Sequence, residues 1–168
     1  MQSIDIRHVE RFPEPQFSSL QKLVFADIQV ISSVQTGPEY PTRAVLPAFR
    51  LGAYEGAELV GWTYGWLERN NAFYMANSGV VASHRRRGIY TLLLDAVREH
   101  ARLEGAWGIR SLHSVLNNPV IIAKLRYGYH VSGLSQSAQL GTLVELTTHL
   151  SIRHEDIFRQ RVLPYAAL

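Results

Sequence analysis

The chain contains no cysteine. That absence removes a thiol nucleophile, a structural disulfide and any thiolate zinc site, and leaves catalysis to oxygen and nitrogen groups. Lysine is nearly as scarce, with Lys22 and Lys124 standing against fifteen arginines. Long apolar runs are missing too. None approaches the roughly 18 residues of a membrane span, and Met1-Gln2-Ser3-Ile4-Asp5-Ile6-Arg7 lacks the basic-then-apolar order of a signal peptide. These features set the expectation of a cytoplasmic protein with no membrane partner. No repeat, low-complexity tract or Gly/Ser linker divides the 168 residues, a length that suits one domain with one core.

The net charge of +3 is small, and most arginines are dispersed among acids, so a nucleic-acid partner is not expected. The arginine excess reads either as genomic composition or as a few guanidiniums placed for planar, bidentate recognition of anions. Position along the chain separates the two.

Leu20, Leu23, Val24, Ile28 and Ile31 recur at spacings of three and four and predict an amphipathic helix over about residues 16 to 33. From Ala48 the period changes. Phe49–Tyr54, Glu58–Leu67 and Phe73–Val81 are β-rich runs separated by Glu55-Gly56 and Asn70-Asn71, the pattern of an antiparallel meander. A strong helix follows, with Ile89, Leu92, Leu93, Ala96, Val97, His100 and Ala101 on one face and Gly105 to stop it. A strand over Ile109–Leu116 comes next. Asn118-Pro119 then offers an N-cap and first-turn residue for a short helix ending at Tyr127-Gly128. Two strands, about 129 to 139 and 142 to 152, meet at Leu140-Gly141-Thr142. The order predicts an α/β sheet with helices on its faces, the domain covering residues 1–152. The tail over 153–168 carries Phe158, Val162, Leu163 and Tyr165, and is expected to pack on the domain or on a second subunit as a homodimer.

Ser83-His84-Arg85-Arg86-Arg87-Gly88-Ile89-Tyr90-Thr91 joins the third meander strand to the strong helix. Three cations at a helix N-terminus oppose the macrodipole by about 0.3–1 kcal/mol each when exposed. The free N–H groups of the first turn, the positive dipole end and the guanidiniums nevertheless all favour one guest, a phosphate-like anion. Gly88 fits that guest because it admits close backbone approach and positive φ. A P-loop is excluded, since no Gly-Lys-Ser/Thr occurs, and a dinucleotide fingerprint fails for want of its second and third glycines.

Val80-Val81-Ala82-Ser83-His84-Arg85-Arg86-Arg87-Gly88-Ile89-Tyr90 resembles the acetyl-CoA motif of the GNAT superfamily of N-acyltransferases, a hydrophobic strand followed by Arg/Gln-x-x-Gly-x-Gly/Ala. Downstream, Asn117-Asn118-Pro119-Val120-Ile121-Ile122-Ala123-Lys124-Leu125-Arg126-Tyr127-Gly128-Tyr129 resembles a second segment of that family, Asn-x-x-Ala-x-x-Leu-Tyr-x-x-x-Gly-Phe. The resemblance covers about residues 4 to 150. It implies a single-domain fold whose mixed, mostly antiparallel central sheet is splayed at its centre with helices on both faces.

The resemblance also implies acetyl-CoA as cosubstrate, no metal, and a small-molecule or peptide amine as acceptor. The main-chain amides of Arg86, Arg87, Gly88, Tyr90 and Thr91 are then expected to hold the pyrophosphate, with Arg85 in the motif's Arg/Gln position and Ile89 between them. Gly79, Val80 and Val81 are expected to pair with the pantetheine arm where strands 73–81 and 109–116 splay apart, and Asn117 to contact the cofactor. Three positions depart from the pattern. Tyr90 replaces a small residue. Lys124 stands where the family carries the tyrosine that protonates the departing thiolate, and is expected either to donate a proton after burial or to lie beside the cofactor's phosphates or ribose. No carboxylate lies between Asn70 and His84, where relatives carry a glutamate base. The substitutes are His113 and Glu68 as bases, with Asn77 and Ser78 orienting a water, and Tyr127 as acid. The competing reading is a non-catalytic acyl-CoA-binding or sensing protein. The acceptor is expected to meet the segment Phe17–Pro47, which includes Glu39 and Tyr40, and the last hairpin.

Overall fold

The computed structural model describes residues 3–25, 48–138 and 140–162. Seven strands form one sheet in the order β1-β2-β3-β4-β5-β7-β6. The meander is β2 (Phe49–Glu55), β3 (Glu58–Leu67) and β4 (Ala72–Val80). Its turns fall where the sequence placed them, with Gly56 at φ 65° and Asn71 at φ 59°, a left-handed backbone that glycine and asparagine tolerate best. Strand β5 (Gly108–Ser114) follows, then β6 (His130–Ser137) and β7 (Gly141–His149) as an antiparallel hairpin. Every pairing is antiparallel except β4 with β5.

The first strand, β1 (Ile4–His8), was not anticipated. It pairs antiparallel with β2, and its two isoleucines alternate with Asp5 and Arg7. Four alternating residues were the available signal, shorter than the runs that reveal the other strands.

Helix α1 (Gln16–Val24) lies on one face of the sheet, where Phe17, Leu20 and Val24 pack on Phe12, Tyr54, Leu59 and Trp62. The remainder of the helix predicted to residue 33 lies outside the described residues, as do Glu39 and Tyr40. The other face carries α2 (Ile89–Leu103), which buries Ile89, Leu93, Leu94, Val97 and Ala101 along one stripe. Burying each large aliphatic side chain contributes about 1.5–3 kcal/mol. That stripe outweighs the opposing charge of the arginines at the helix start, which explains how a cationic N-terminus is tolerated. Gly105, at φ 74°, ends the helix as expected.

Helix α3 (Asn118–Tyr127) begins one residue earlier than expected, so that Asn117 is its N-cap and Asn118 its first residue. Neither asparagine makes a capping side-chain bond. The C-terminal segment forms α4 (Ile152–Val162) beyond β7, and residues 163–168 lie outside the described residues. Among the described residues, no helix is long and apolar enough to cross a membrane.

Candidate active site

Strands β4 and β5 pair only through Ala72–Tyr74 and Gly108–Arg110. Beyond Ser111, β5 pairs with β7 alone, and from Met75 onward β4 pairs with β3 alone. The sheet therefore opens at its centre, and one backbone side of β4 from Met75 to Val80 has no strand partner among the described residues. A bulge marks the start of the opening. Tyr64 faces Asn77 while Gly65 faces Met75, so Ala76 has no opposite residue. Such an insertion reverses the alternation of side chains beyond it. Asn77 accordingly meets Trp62 on the α1 face, while Ser78 turns toward Thr63 and Tyr90. Asn77 Oδ1 accepts from Trp62 Nε1 at 2.8 Å and Ser78 Oγ lies 3.1 Å from Thr63 Oγ1, so both polar groups expected to orient a water hold their own strand pair.

The far end of the opening leads to the arginine loop. A single 3₁₀ turn over Ala82–His84 breaks the chain away from β4, and the backbone then goes left-handed at Arg86 (φ 62°) and again at Gly88 (φ 77°). Alternation of this kind turns successive N–H groups toward one concavity, the geometry of an anion nest. Among the described residues, the amides of Arg86, Arg87, Gly88, Ile89, Tyr90 and Thr91 make no main-chain hydrogen bond, the first in α2 being Leu92 N–H to Gly88 O at 3.1 Å. A Cβ built on Gly88 would meet nothing within 4 Å, so the cradle is open on that side. At Gly79 the reason for glycine is different: a Cβ there would come within 2.5 Å of Trp62, whose indole covers the strand.

The three arginines do not act alike. Arg87 Nη2 bonds Glu55 Oε1 at 2.5 Å, and His84 Nε2 reaches Glu55 Oε2 at 3.0 Å. Those hydrogen bonds from Arg87 and His84 hold the Glu55 carboxyl below its usual range. Arg85 folds back, its Nε donating to Val80 O at 3.1 Å, and Arg86 is exposed. Arg87 alone of the three fastens the loop to Glu55 at the β2–β3 turn, and Arg85 and Arg86 stay exposed. The hydroxyl of Tyr90 is buried, which drives its pKa upward, and Ser78 beside it pulls the other way. The phenol points inward from the loop, so its bulk leaves the cradle clear.

Lys124 lies at the mouth of the opening and is fully buried. Its Nζ donates to Ser111 Oγ at 2.6 Å and to Met75 Sδ at 3.4 Å, joining the first residue of each strand past the paired segment. The Tyr129 ring lies 4.6 Å from the same nitrogen. Burial without a carboxylate partner lowers its pKa to about 7. Ser111, Met75 and Tyr129 thus enclose the ammonium.

His113 Nε2 sits 3.0 Å from the same Ser111 Oγ. With Lys124 donating, the serine's own proton is directed to that imidazole nitrogen. Burial, and secondarily the Lys124 charge, lower the His113 pKa to about 3. The ring is therefore neutral but a weak base, and the ordinary value that suited it to amine deprotonation does not apply. Glu68 is paired with Arg110, Nε to Oε2 at 3.0 Å, and Arg110 also approaches Glu145 at 3.6 Å. Tyr127 donates to Asp95 on α2 at 2.5 Å, and burial together with Asp95 pushes its pKa up to about 12. It braces α3 against α2 and is a poor acid near neutrality. Asn117 remains half-buried at the start of α3, its side chain making no capping bond.

A mostly antiparallel sheet, splayed at its centre and flanked by helices, defines the class as a single α/β domain. The family model described as "Acetyltransferase (GNAT) family" matches residues 16–129, and the chain belongs to that family. No curated protein sequence matches it. Among solved structures it is similar to a nourseothricin acetyltransferase (TM-score 0.58, 20% identity), covering 62% of this chain and 66% of that one. It is also similar to the ribosomal-protein-S18-alanine N-acetyltransferase from Escherichia coli (TM-score 0.67, 12% identity, covering 89% and 96%). A third is a GNAT family acetyltransferase from Elizabethkingia anophelis with acetyl-CoA bound (TM-score 0.66, 14% identity, covering 87% and 97%). At these identities the likeness concerns the fold. Family membership supports acetyl-CoA-dependent acetylation of an amine in general terms.

Proposed function

We propose that the protein transfers an acetyl group from acetyl-CoA to a primary amine, by direct attack of the amine on the thioester within a ternary complex. The observation that carries this reading is the unpartnered side of β4, which runs from the bulge at Ala76 to the free amides at the start of α2. Residues 79–81 would pair with the pantetheine arm, and Arg86, Arg87, Gly88, Tyr90 and Thr91 would hold the pyrophosphate through their amides. Acetyl-CoA supplies an activated acyl thioester.

The chain's own contribution is orientation, backbone polarity and one proton. Main-chain N–H groups left without a strand partner past the bulge would stabilise charge developing on the thioester oxygen. Lys124 is the proton donor. In the balanced reaction the C–N bond forms, the C–S bond breaks, the amine releases a proton to water and Lys124 Nζ–H gives one to sulfur. A pKa of about 7 suits a group that must both give and regain a proton near neutrality.

Acetyl-CoA is expected to raise the melting temperature more than ATP or CoA lacking its 3′-phosphate, and Gly88→Glu to abolish that rise. Absence of any shift with acetyl-CoA overturns the cofactor assignment. Lys124→Met is expected to lower kcat by about 10²-fold or more while acetyl-CoA affinity is kept. A variant with wild-type kcat from pH 6 to 9 removes Lys124 from the chemistry.

Non-catalytic acyl-CoA binding is the competing reading. It is favoured by the engagement of Glu68 with Arg110 and of Tyr127 with Asp95, which leaves neither as a ready base or acid. Tight acetyl-CoA binding with no CoA release across a broad amine panel would select it.

A further inference from the structure

Far along the sheet from the splay, three metal-ligating side chains from three elements converge. His130 opens β6, His149 closes β7, and Glu155 lies in the first turn of α4. His130 Nε2 is 3.0 Å from Glu155 Oε1, and His149 Nδ1 is 3.1 Å from Oε2. One ligand atom from each residue lies within 4.8 Å of the other two. Phe158 stacks on His130 at 4.8 Å between centroids and also covers His149 at 5.1 Å, restricting both imidazoles.

Helix α4 needs a fastener of this kind. From Ile152 to Gln160 only Glu155 and Phe158 are even half-buried, while Ile152 is 83% and Ile157 38% exposed. A helix of this length is held in place mainly by an apolar face, and among its described side chains, 152–160, that face is one aromatic ring. The polar contact through Glu155 therefore carries much of the docking.

We propose that His130, His149 and Glu155 bind a divalent transition-metal ion of the zinc type, which clamps α4 to the β6–β7 edge. Two imidazole nitrogens and one carboxylate oxygen are a zinc donor set, bound at about 2.0–2.2 Å with a fourth position left to water. Tetrahedral ligands at those lengths stand about 3.3–3.4 Å apart, close to the nitrogen–oxygen separations already present. The imidazoles need only draw together around the ion. Arg159, whose Nε lies 3.0 Å from Glu155 Oε1, is 63% exposed and free to swing into solvent when the ion arrives. Acetyl transfer does not require this ion, so the site is independent of the proposed chemistry.

The test is metal uptake by the purified full chain, using zinc chloride in calorimetry and thermal melts, and cobalt(II) for its tetrahedral absorption. One zinc per chain is expected, with a rise in melting temperature of roughly 5–10 °C at free zinc a hundredfold above Kd. His149→Gln and Glu155→Gln are each expected to abolish stoichiometric uptake, and magnesium and calcium to leave the melt unchanged. His130→Gln, with its altered residue on a different strand, serves as a second ligand variant if either of the others fails to fold. Failure of the wild-type chain to take up one zinc, undiminished uptake by the ligand variants, or an equal response to magnesium overturns the assignment. Each readout is taken without acetyl-CoA, so its outcome is separate from that of the acyltransferase reading.

Discussion

Replacing Lys124 by methionine tests the interior of this protein without reference to any ligand. In the folded chain burial lowers the lysine pKa from its ordinary 10.5 to about 7. Below pH 7 both folded and unfolded chains carry the proton, and the folded state bears the full penalty of a buried charge. Between pH 7 and 10.5 the folded lysine is neutral while the unfolded one remains charged. The unfolded state then binds more protons, so stability rises with pH at about 1.4 kcal/mol per pH unit in the middle of that window. From pH 7 to 9 this single group contributes about 2 kcal/mol, or roughly 4–8 °C in melting temperature for a chain of this size. Methionine fills similar volume, keeps the contacts of an apolar chain with Met75 and Tyr129, and has no proton to lose. Urea denaturation of both proteins at pH 7, 8 and 9 is expected to show the wild type gaining on the variant by that amount, the variant being the more stable near neutrality. Parallel stability curves across this window would show that the lysine titrates normally and refute its enclosure.

Other substitutions separate backbone, packing and hydrogen-bond effects. Gly88→Ala places a Cβ at φ 77° in open space, so a stability loss of about 1–2 kcal/mol is expected from conformation alone, measurable by urea titration. Gly79→Ala drives a methyl into the Trp62 indole, and a loss of about 1–3 kcal/mol with a change in tryptophan fluorescence is expected. Tyr129→Phe removes a buried hydroxyl that has no hydrogen-bond partner among the described residues, and is expected to leave stability unchanged or raise it by about 1 kcal/mol in thermal melts. Tyr127→Phe breaks the bond to Asp95 and is expected to cost about 0.5–1.5 kcal/mol of stability while kcat changes less than about twofold; a hundredfold fall in kcat would restore Tyr127 as the acid.

Much of this architecture is readable from local pattern. The meander, its left-handed turns, the apolar stripe of α2 and the glycine stops at 105 and 128 each depend on residues close together in the chain. Strand β1 escapes because four alternating residues carry too little signal until β2 supplies a partner. The loop from Arg85 to Gly88 is legible as a helix start with exposed amides, because such starts expose amides wherever they occur. Its internal division of labour is not, since Glu55, which holds Arg87, lies 32 residues away in the sequence.

Sequence alone thus determined the fold class, most of the elements and the family, because propensity, turn chemistry and motif spacing act over a few residues. Tertiary structure decided the state of each ionisable group. Lys124 becomes a lysine of pKa about 7, His113 a weak base and Tyr127 a brace because strands and helices distant in the chain enclose or pair them. Desolvation and hydrogen bonding depend on what surrounds a side chain in space, and no local pattern of residues records that surrounding.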